Sequence, residues 1–118
     1  MDIQIVIEDT ELRGTLDATA AGRDFASLLP LTLTLTDFHA TEKISDLPRR
    51  LATAGTPPGT EGSAGDITYY APWGNLALFY RDFEYSDDLV RLGRLDPGAA
   101  DVLAALDDGT TITIHATD

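Results

Sequence analysis

One stretch decides the predicted fold: Gly65-Asp66-Ile67-Thr68-Tyr69-Tyr70-Ala71-Pro72-Trp73-Gly74-Asn75-Leu76-Ala77-Leu78-Phe79-Tyr80. Residues 66–70 and 76–80 are rich in β-branched and aromatic side chains, which is typical of strands. Residues 71–75 contain a proline and a glycine, so they connect the two strands as a turn. Because the window 67–80 carries no charged side chain, it contrasts with the acidic remainder of the chain.

Strand patterns continue on both sides of this stretch. Apolar and polar residues alternate with a period of two in the other predicted strands. These are the two strands of a hairpin within residues 1–16 and the strands over 31–36, 89–95 and 110–115. A further short strand is predicted within 38–44. Residues 54–65 contain four glycines and two prolines and predict a long loop. Seven or eight strands in this arrangement predict a closed or nearly closed β-barrel, because closure removes exposed edges.

Two short helices accompany the predicted strands. Thr19 can cap a helix over residues 20–29, and Pro30 stops it. Asp96 can cap a second helix over residues 98–106, with Pro97 at its first position. The predicted fold class is therefore mainly β, a barrel with helices at its ends.

Size and composition limit the function classes. The 118 residues predict a single domain over 1–118, and a hydrophobic share of 43% is that of a globular protein. Eight basic against twenty acidic residues give a net charge of -12, which argues against nucleic acid and anionic membranes as partners. With no cysteine, disulfides, thiolate nucleophiles and zinc–sulfur sites are excluded. The only lysine, Lys43, is expected at the surface.

Nothing in the sequence indicates targeting. The chain enters a strand pattern directly after Met1, without a basic start or a long apolar segment. No window approaches the roughly 18 apolar residues that span a bilayer. We therefore expect a cytoplasmic protein without a membrane partner.

The opening stretch, together with three flanking segments in the same order, resembles a small bacterial family of cyclophilin-like domains. The flanking segments are Phe25-Ala26-Ser27-Leu28-Leu29-Pro30-Leu31, Gly55-Thr56-Pro57-Pro58 and Leu92-Gly93-Arg94-Leu95. The resemblance implies a cyclophilin-like barrel of about eight strands, in a subgroup described mainly by its fold. It does not by itself imply prolyl isomerase activity.

The isomerase pattern of cyclophilins is absent from this sequence. Isomerising members carry a His-Arg pair on a strand, and the arginine assists rotation about a prolyl amide against a barrier of roughly 20 kcal/mol. Here His39 is followed by Ala40, so no catalytic arginine carries over. We therefore predict no catalytic residue.

Most of the aromatic side chains fall in one window. Seven of the nine lie there, namely Tyr69, Tyr70, Trp73, Phe79, Tyr80, Phe83 and Tyr85. In one interpretation these side chains fill the hydrophobic core and cover its end. The other makes Tyr70, Trp73 and Phe79 the lining of a cleft for an apolar or proline-containing peptide or a small ligand, because an aromatic wall suits the flat proline ring. Arg94 either pairs with an acidic neighbour or offers its guanidinium to a ligand carboxylate or carbonyl.

Other chemistries find little support. His39 and His115 are far apart and lack metal-ligand spacing, so no metal site is predicted. The loop around Ser63 has neither a nucleophile-elbow pattern nor a phosphate-loop ending, and no cofactor is predicted. We expect a non-catalytic binding module, with a weak or atypical peptidyl-prolyl isomerase as the alternative. The protein is either a monomer or a homodimer that buries the aromatic side chains around Trp73, which we call the aromatic patch.

Overall fold

Eight antiparallel strands close into a barrel in the computed structural model, which describes residues 1–117. The strands of the described chain are β1 (Asp2–Ile7), β2 (Thr10–Leu16), β3 (Leu31–Phe38), β4 (Glu42–Asp46), β5 (Thr60–Gly62), β6 (Asp66–Tyr70), β7 (Asn75–Phe79), β8 (Phe83–Ser86), β9 (Leu89–Leu95) and β10 (Thr110–Ala116). The helices are α1 (Ala20–Ala26) and α2 (Ala99–Ala104). Around the barrel the strand order is β1-β10-β3-β4-β7-β6-β9-β2.

This architecture confirms the predicted mainly-β barrel with two short helices. Strands β5 and β8, which form a separate two-stranded sheet, were not predicted. Strand β5 has only three residues inside the Gly- and Pro-rich segment, too few to show an alternating pattern. Strand β8 is mostly exposed, so its side chains do not alternate between core and solvent. Both strands form because they pair with each other.

The barrel interior is filled by the apolar side chains that alternate along each strand. In β1, Ile3, Ile5 and Ile7 are buried, and in β3 Leu33 and Leu35 are buried while the threonines between them face solvent. Full burial of one such side chain stabilises the fold by about 1.5–3 kcal/mol. The period-two pattern in the sequence therefore corresponds directly to the inner surface of the barrel.

The two helices cover the barrel but differ from the predicted helices in their limits. Thr19 caps α1 as predicted, its hydroxyl oxygen accepting a hydrogen bond from the Gly22 amide at 3.0 Å. That helix ends at Ala26, three residues before the predicted end. The prediction that Pro97 occupies the first position of the second helix is wrong. Residues 96–98 form a turn, and Gly98 at a φ of 94° precedes the first helical residue.

Strand β9 contains a bulge where it pairs with β6. Ile67 pairs with Gly93, but Thr68 pairs with Arg91, which leaves Leu92 as an extra residue. Gly93 lies so close to β2 that a Cβ atom there would be 2.2 Å from the Thr15 carbonyl oxygen. The bulge therefore needs glycine at this point of closest approach.

Lys43 is buried, so the expectation of a surface lysine is wrong. Its side chain is 4% exposed. Its ammonium group donates a hydrogen bond to the Leu106 carbonyl oxygen at 2.8 Å and lies 3.3 Å from the Asp37 carboxylate. The Tyr80 hydroxyl donates to the same carboxylate at 2.5 Å. The register of β4 turns Lys43 inward at the end of the barrel, where these acceptors replace its hydration.

Neither helix in the described part of the chain has the length and apolar character needed to cross a membrane.

Candidate functional site

A second apolar cluster lies on the outer face of the barrel. It consists of the buried residues Ala77, Phe79 and Leu89, with Ile44 and Tyr70 packed against them. Because side chains alternate along a strand, Leu76 and Leu78 of β7 point into the barrel while their neighbours point outward. Strand β7 is thus buried on both faces. An outer face this apolar must be covered by something other than the barrel itself.

The small β5–β8 sheet covers one side of this outer face. The Phe83 ring stacks on the Phe79 ring with 5.9 Å between centroids. Gly62 of β5 lies against the same ring, since a Cβ atom at that position would be 2.8 Å from Cζ of Phe79. The β5–β8 sheet and the barrel therefore hold Phe79 between them and form one wall of a groove.

A cavity of about 290 Å³ remains open in this groove. Its lining residues are Phe38, His39, Thr41, Glu42, Ile44, Tyr70, Trp73, Asn75, Phe79, Phe83, Ser86 and Leu89. The volume lies just below the usual range for ligand pockets, which is about 300–1,000 Å³. We call this space the outer cavity. It has room for one or two side chains.

Trp73 forms the opposite wall of the outer cavity. Its indole is 55% exposed and makes edge-to-face contacts with Phe38 and Tyr70, whose ring centroids are 5.4 and 5.2 Å away. The turn that carries it is held by Arg50, whose guanidinium donates hydrogen bonds to the Ala71 and Pro72 carbonyl oxygens at 2.7 and 3.3 Å. The indole is thus positioned by its neighbours while one face stays open to solvent.

The structure brings three of the four predicted ligand-binding residues together. Tyr70, Trp73 and Phe79 all line the outer cavity. Arg94 does not. It lies on β9 beyond the bulge, where its guanidinium donates a hydrogen bond to the buried carboxylate of Asp66 at 3.0 Å. This ion pair corresponds to the interpretation in which the arginine pairs with an acidic neighbour.

Two polar residues of the outer cavity were missed by sequence reasoning. Asn75 is 3% exposed, and its Oδ1 atom has no hydrogen-bond partner among residues 1–117. Burial, and then the negative charge of Asp37, raise the pKa of Glu42 to about 7. In the sequence Asn75 is typical of a turn residue. The only signal for Glu42 was its alternation with Ile44, in a segment whose strand was poorly defined.

The turn between β3 and β4 forms one rim of the outer cavity. His39 and Ala40 both adopt a φ of 53°, in the left-handed region that is uncommon for residues other than glycine. The Thr41 amide donates to the Phe38 carbonyl oxygen at 3.1 Å and closes this turn. The turn places the His39 ring at the cavity, next to the Phe38 ring. No cluster of three or more potential metal ligands occurs among the described residues.

Comparison with known proteins agrees with this architecture. The family model described as the Cyclophilin-like family matches residues 5–115. The chain belongs to this family. The cyclophilin-like chain is also similar to the hypothetical protein AF2241 from Archaeoglobus fulgidus, whose solution structure superposes with a TM-score of 0.63. That similarity covers 99% of this chain and 95% of the archaeal one at 19% identity, so it shows a shared fold. No curated protein matches the sequence significantly.

Proposed function

We propose that this cyclophilin-like domain is a non-catalytic binding module that holds an apolar or proline-containing peptide, or a small ligand, in the outer cavity. The observation that carries the proposal is the exposed indole of Trp73 beside a concave apolar floor. Exposed tryptophan side chains are enriched at binding interfaces, because burying them against a partner is favourable.

The shape and chemistry of the outer cavity support a ligand with a compact apolar group. Its walls are the edges and faces of Phe38, Tyr70, Trp73 and Phe79, and its floor is closed by Leu89. A proline ring is apolar and conformationally restricted, so it loses little entropy when aromatic side chains enclose it. The rings already contact one another, so the site is largely formed before a ligand arrives.

The isomerase alternative has its own test. A protease-coupled assay with an Ala-Pro peptide should give the uncatalysed rate. A rate that rises in proportion to the concentration of the domain would replace the binding-module proposal with an isomerase.

Fluorescence of Trp73 tests the binding proposal directly, because it is the only tryptophan of the chain. We expect proline-containing peptides to shift its emission in a saturable manner. Tyr70→Ala should weaken this binding, whereas Tyr85→Ala removes an exposed tyrosine that does not line the outer cavity and should leave the binding unchanged. No response at millimolar peptide would overturn the proposal.

Light scattering distinguishes an open site from one buried between subunits. A binding module with a free outer cavity should elute as a monomer at concentrations where peptide binding is measured. If the domain is a dimer whose Trp73 emission shifts on dilution, the aromatic patch is an interface between copies, and the peptide proposal fails.

A further inference from the structure

The outer cavity contains a carboxylate without a partner. Glu42 lines it from β4, directly opposite Phe79 in the β4–β7 pairing. Among residues 1–117 no side chain forms an ion pair or hydrogen bond with its carboxyl group, although it is half-buried. The nearby lysine, Lys43, points to the opposite face of the strand and pairs with Asp37 and the Leu106 carbonyl. The described residues therefore supply no cation to this carboxylate.

A second unpaired acceptor lies toward the other end of the same face. Asn75 pairs with Asp46 across β4 and β7, whereas Phe79 pairs with Glu42, so four residues separate the two positions along the strand. That spacing is about 13 Å. A buried oxygen that accepts no hydrogen bond is costly for a folded protein, and a ligand N–H group would remove that cost. Both unpaired groups thus call for a ligand that donates hydrogen bonds.

The aromatic walls have the same electrostatic preference. The faces of aromatic rings carry negative partial charge and attract ammonium groups within about 6 Å of the ring centroid. Phe79 and Phe83 stack at the Glu42 end of the outer cavity, and Phe38 stands across the β3–β4 pairing from Glu42. The net charge of -12 adds a long-range attraction for cations. Carboxylate, rings and overall charge all favour a positively charged group.

We propose that the ligand of the outer cavity carries an ammonium group, which is bound between the Glu42 carboxylate and the surrounding aromatic rings, and that in a peptide ligand a backbone N–H group also reaches Asn75. This inference rests on the proposed function and specifies the chemistry of the ligand. A lysine side chain next to a proline supplies such a group, and so does a free arylalkylamine.

Three matched peptides isolate the charge. They are tripeptides of alanine, proline and lysine with an acetylated N-terminus and an amidated C-terminus. In each set the lysine is kept, replaced by acetyl-lysine or replaced by norleucine, and it is placed either directly before or directly after the proline. At pH 8 and 0.15 M salt, calorimetry should show the lysine form binding about tenfold more tightly than the other two. Phenethylamine against 2-phenylethanol makes the same comparison for a free amine and distinguishes the two sources of the ammonium group.

Two carboxylate variants separate the local contact from the general field. Glu42→Gln keeps the shape of the side chain and should reduce the preference for lysine over norleucine to within twofold. Asp46→Asn removes the same charge from the same strand at an exposed position outside the cavity and should leave the preference intact. Far-UV circular dichroism checks that both variants are folded.

The outcomes distinguish the two proposals. Equal binding of the lysine and norleucine peptides overturns the ammonium inference and leaves the binding module standing. A preference that Asp46→Asn reduces as much as Glu42→Gln, or that 0.5 M salt abolishes, also overturns it, because the attraction is then non-specific. If no peptide and no amine binds, both proposals fail.

Discussion

The buried ammonium of Lys43 gives the sharpest prediction about stability. We expect Lys43→Met to destabilise the domain, although methionine retains most of the apolar stem. The substitution leaves the Leu106 carbonyl oxygen without its donor and removes the cation beside Asp37. Asp37 keeps the hydrogen bonds from the Tyr80 hydroxyl and the Ala40 amide, so its carboxylate still has hydrogen-bond donors.

The size of this effect follows from those contacts. A hydrogen bond from a charged donor contributes about 1.5–3 kcal/mol, and leaving the half-buried Leu106 carbonyl without a donor costs at most about 1–3 kcal/mol. Because Asp37 is partly exposed to solvent, its ion pair with Lys43 is screened and adds little. We therefore expect a loss of about 2–3 kcal/mol in the free energy of unfolding, a large part of the 5–15 kcal/mol that is usual for a domain.

Urea denaturation followed by circular dichroism measures this loss. With a slope of about 2 kcal/mol/M, the midpoint should fall by about 1–1.5 M. Arg81→Met is the matched control, since it removes the same charge from an exposed neighbouring position. The reasoning is wrong if the unfolding midpoint of Lys43→Met lies within about 0.3 M (roughly 0.6 kcal/mol) of the midpoint of the control, because the buried contacts of Lys43 then contribute almost nothing.

Three further substitutions test other parts of the structure by the same unfolding measurement. Gly93→Ala places a Cβ atom against the Thr15 carbonyl oxygen and should cost about 3 kcal/mol or more; a loss below about 1 kcal/mol would contradict the close approach. The pKa of Glu42 is about 7 in the folded protein and lower in the unfolded chain. The contribution of its protonation to stability is therefore complete in acid and is lost as the pH rises through 7. Solvent screening reduces this loss of stability to about 1 kcal/mol, and Glu42→Gln should abolish the loss. If the free energy of unfolding changes between pH 5 and 8 in the variant as it does in the unsubstituted protein, this prediction is wrong. The Arg49 guanidinium holds the pKa of Asp24 below its usual value, so stability from this pair is lost as the pH falls below about 4, and Asp24→Asn should lower stability at pH 7 but not at pH 2.

The outer cavity was only partly predictable from the sequence. Tyr70, Trp73 and Phe79 were predicted because aromatic residues cluster along a short, uncharged window. Arg94 was included for its proximity in sequence, but the bulge in β9 and the partner Asp66 place it elsewhere. Glu42 was not predicted, because it reaches the site from β4 through strand pairing more than 30 residues away in sequence.

The amino-acid sequence by itself determined that the chain forms alternating strands with one apolar face. It did so because a period of two is a local property, which each strand expresses without reference to the others. Only the tertiary structure decided that Phe79 faces an outer cavity, that the β5–β8 sheet covers it, and that Lys43 is buried. Alternation separates two faces of a strand, but which partners cover the second face depends on the register of strands that are distant in sequence.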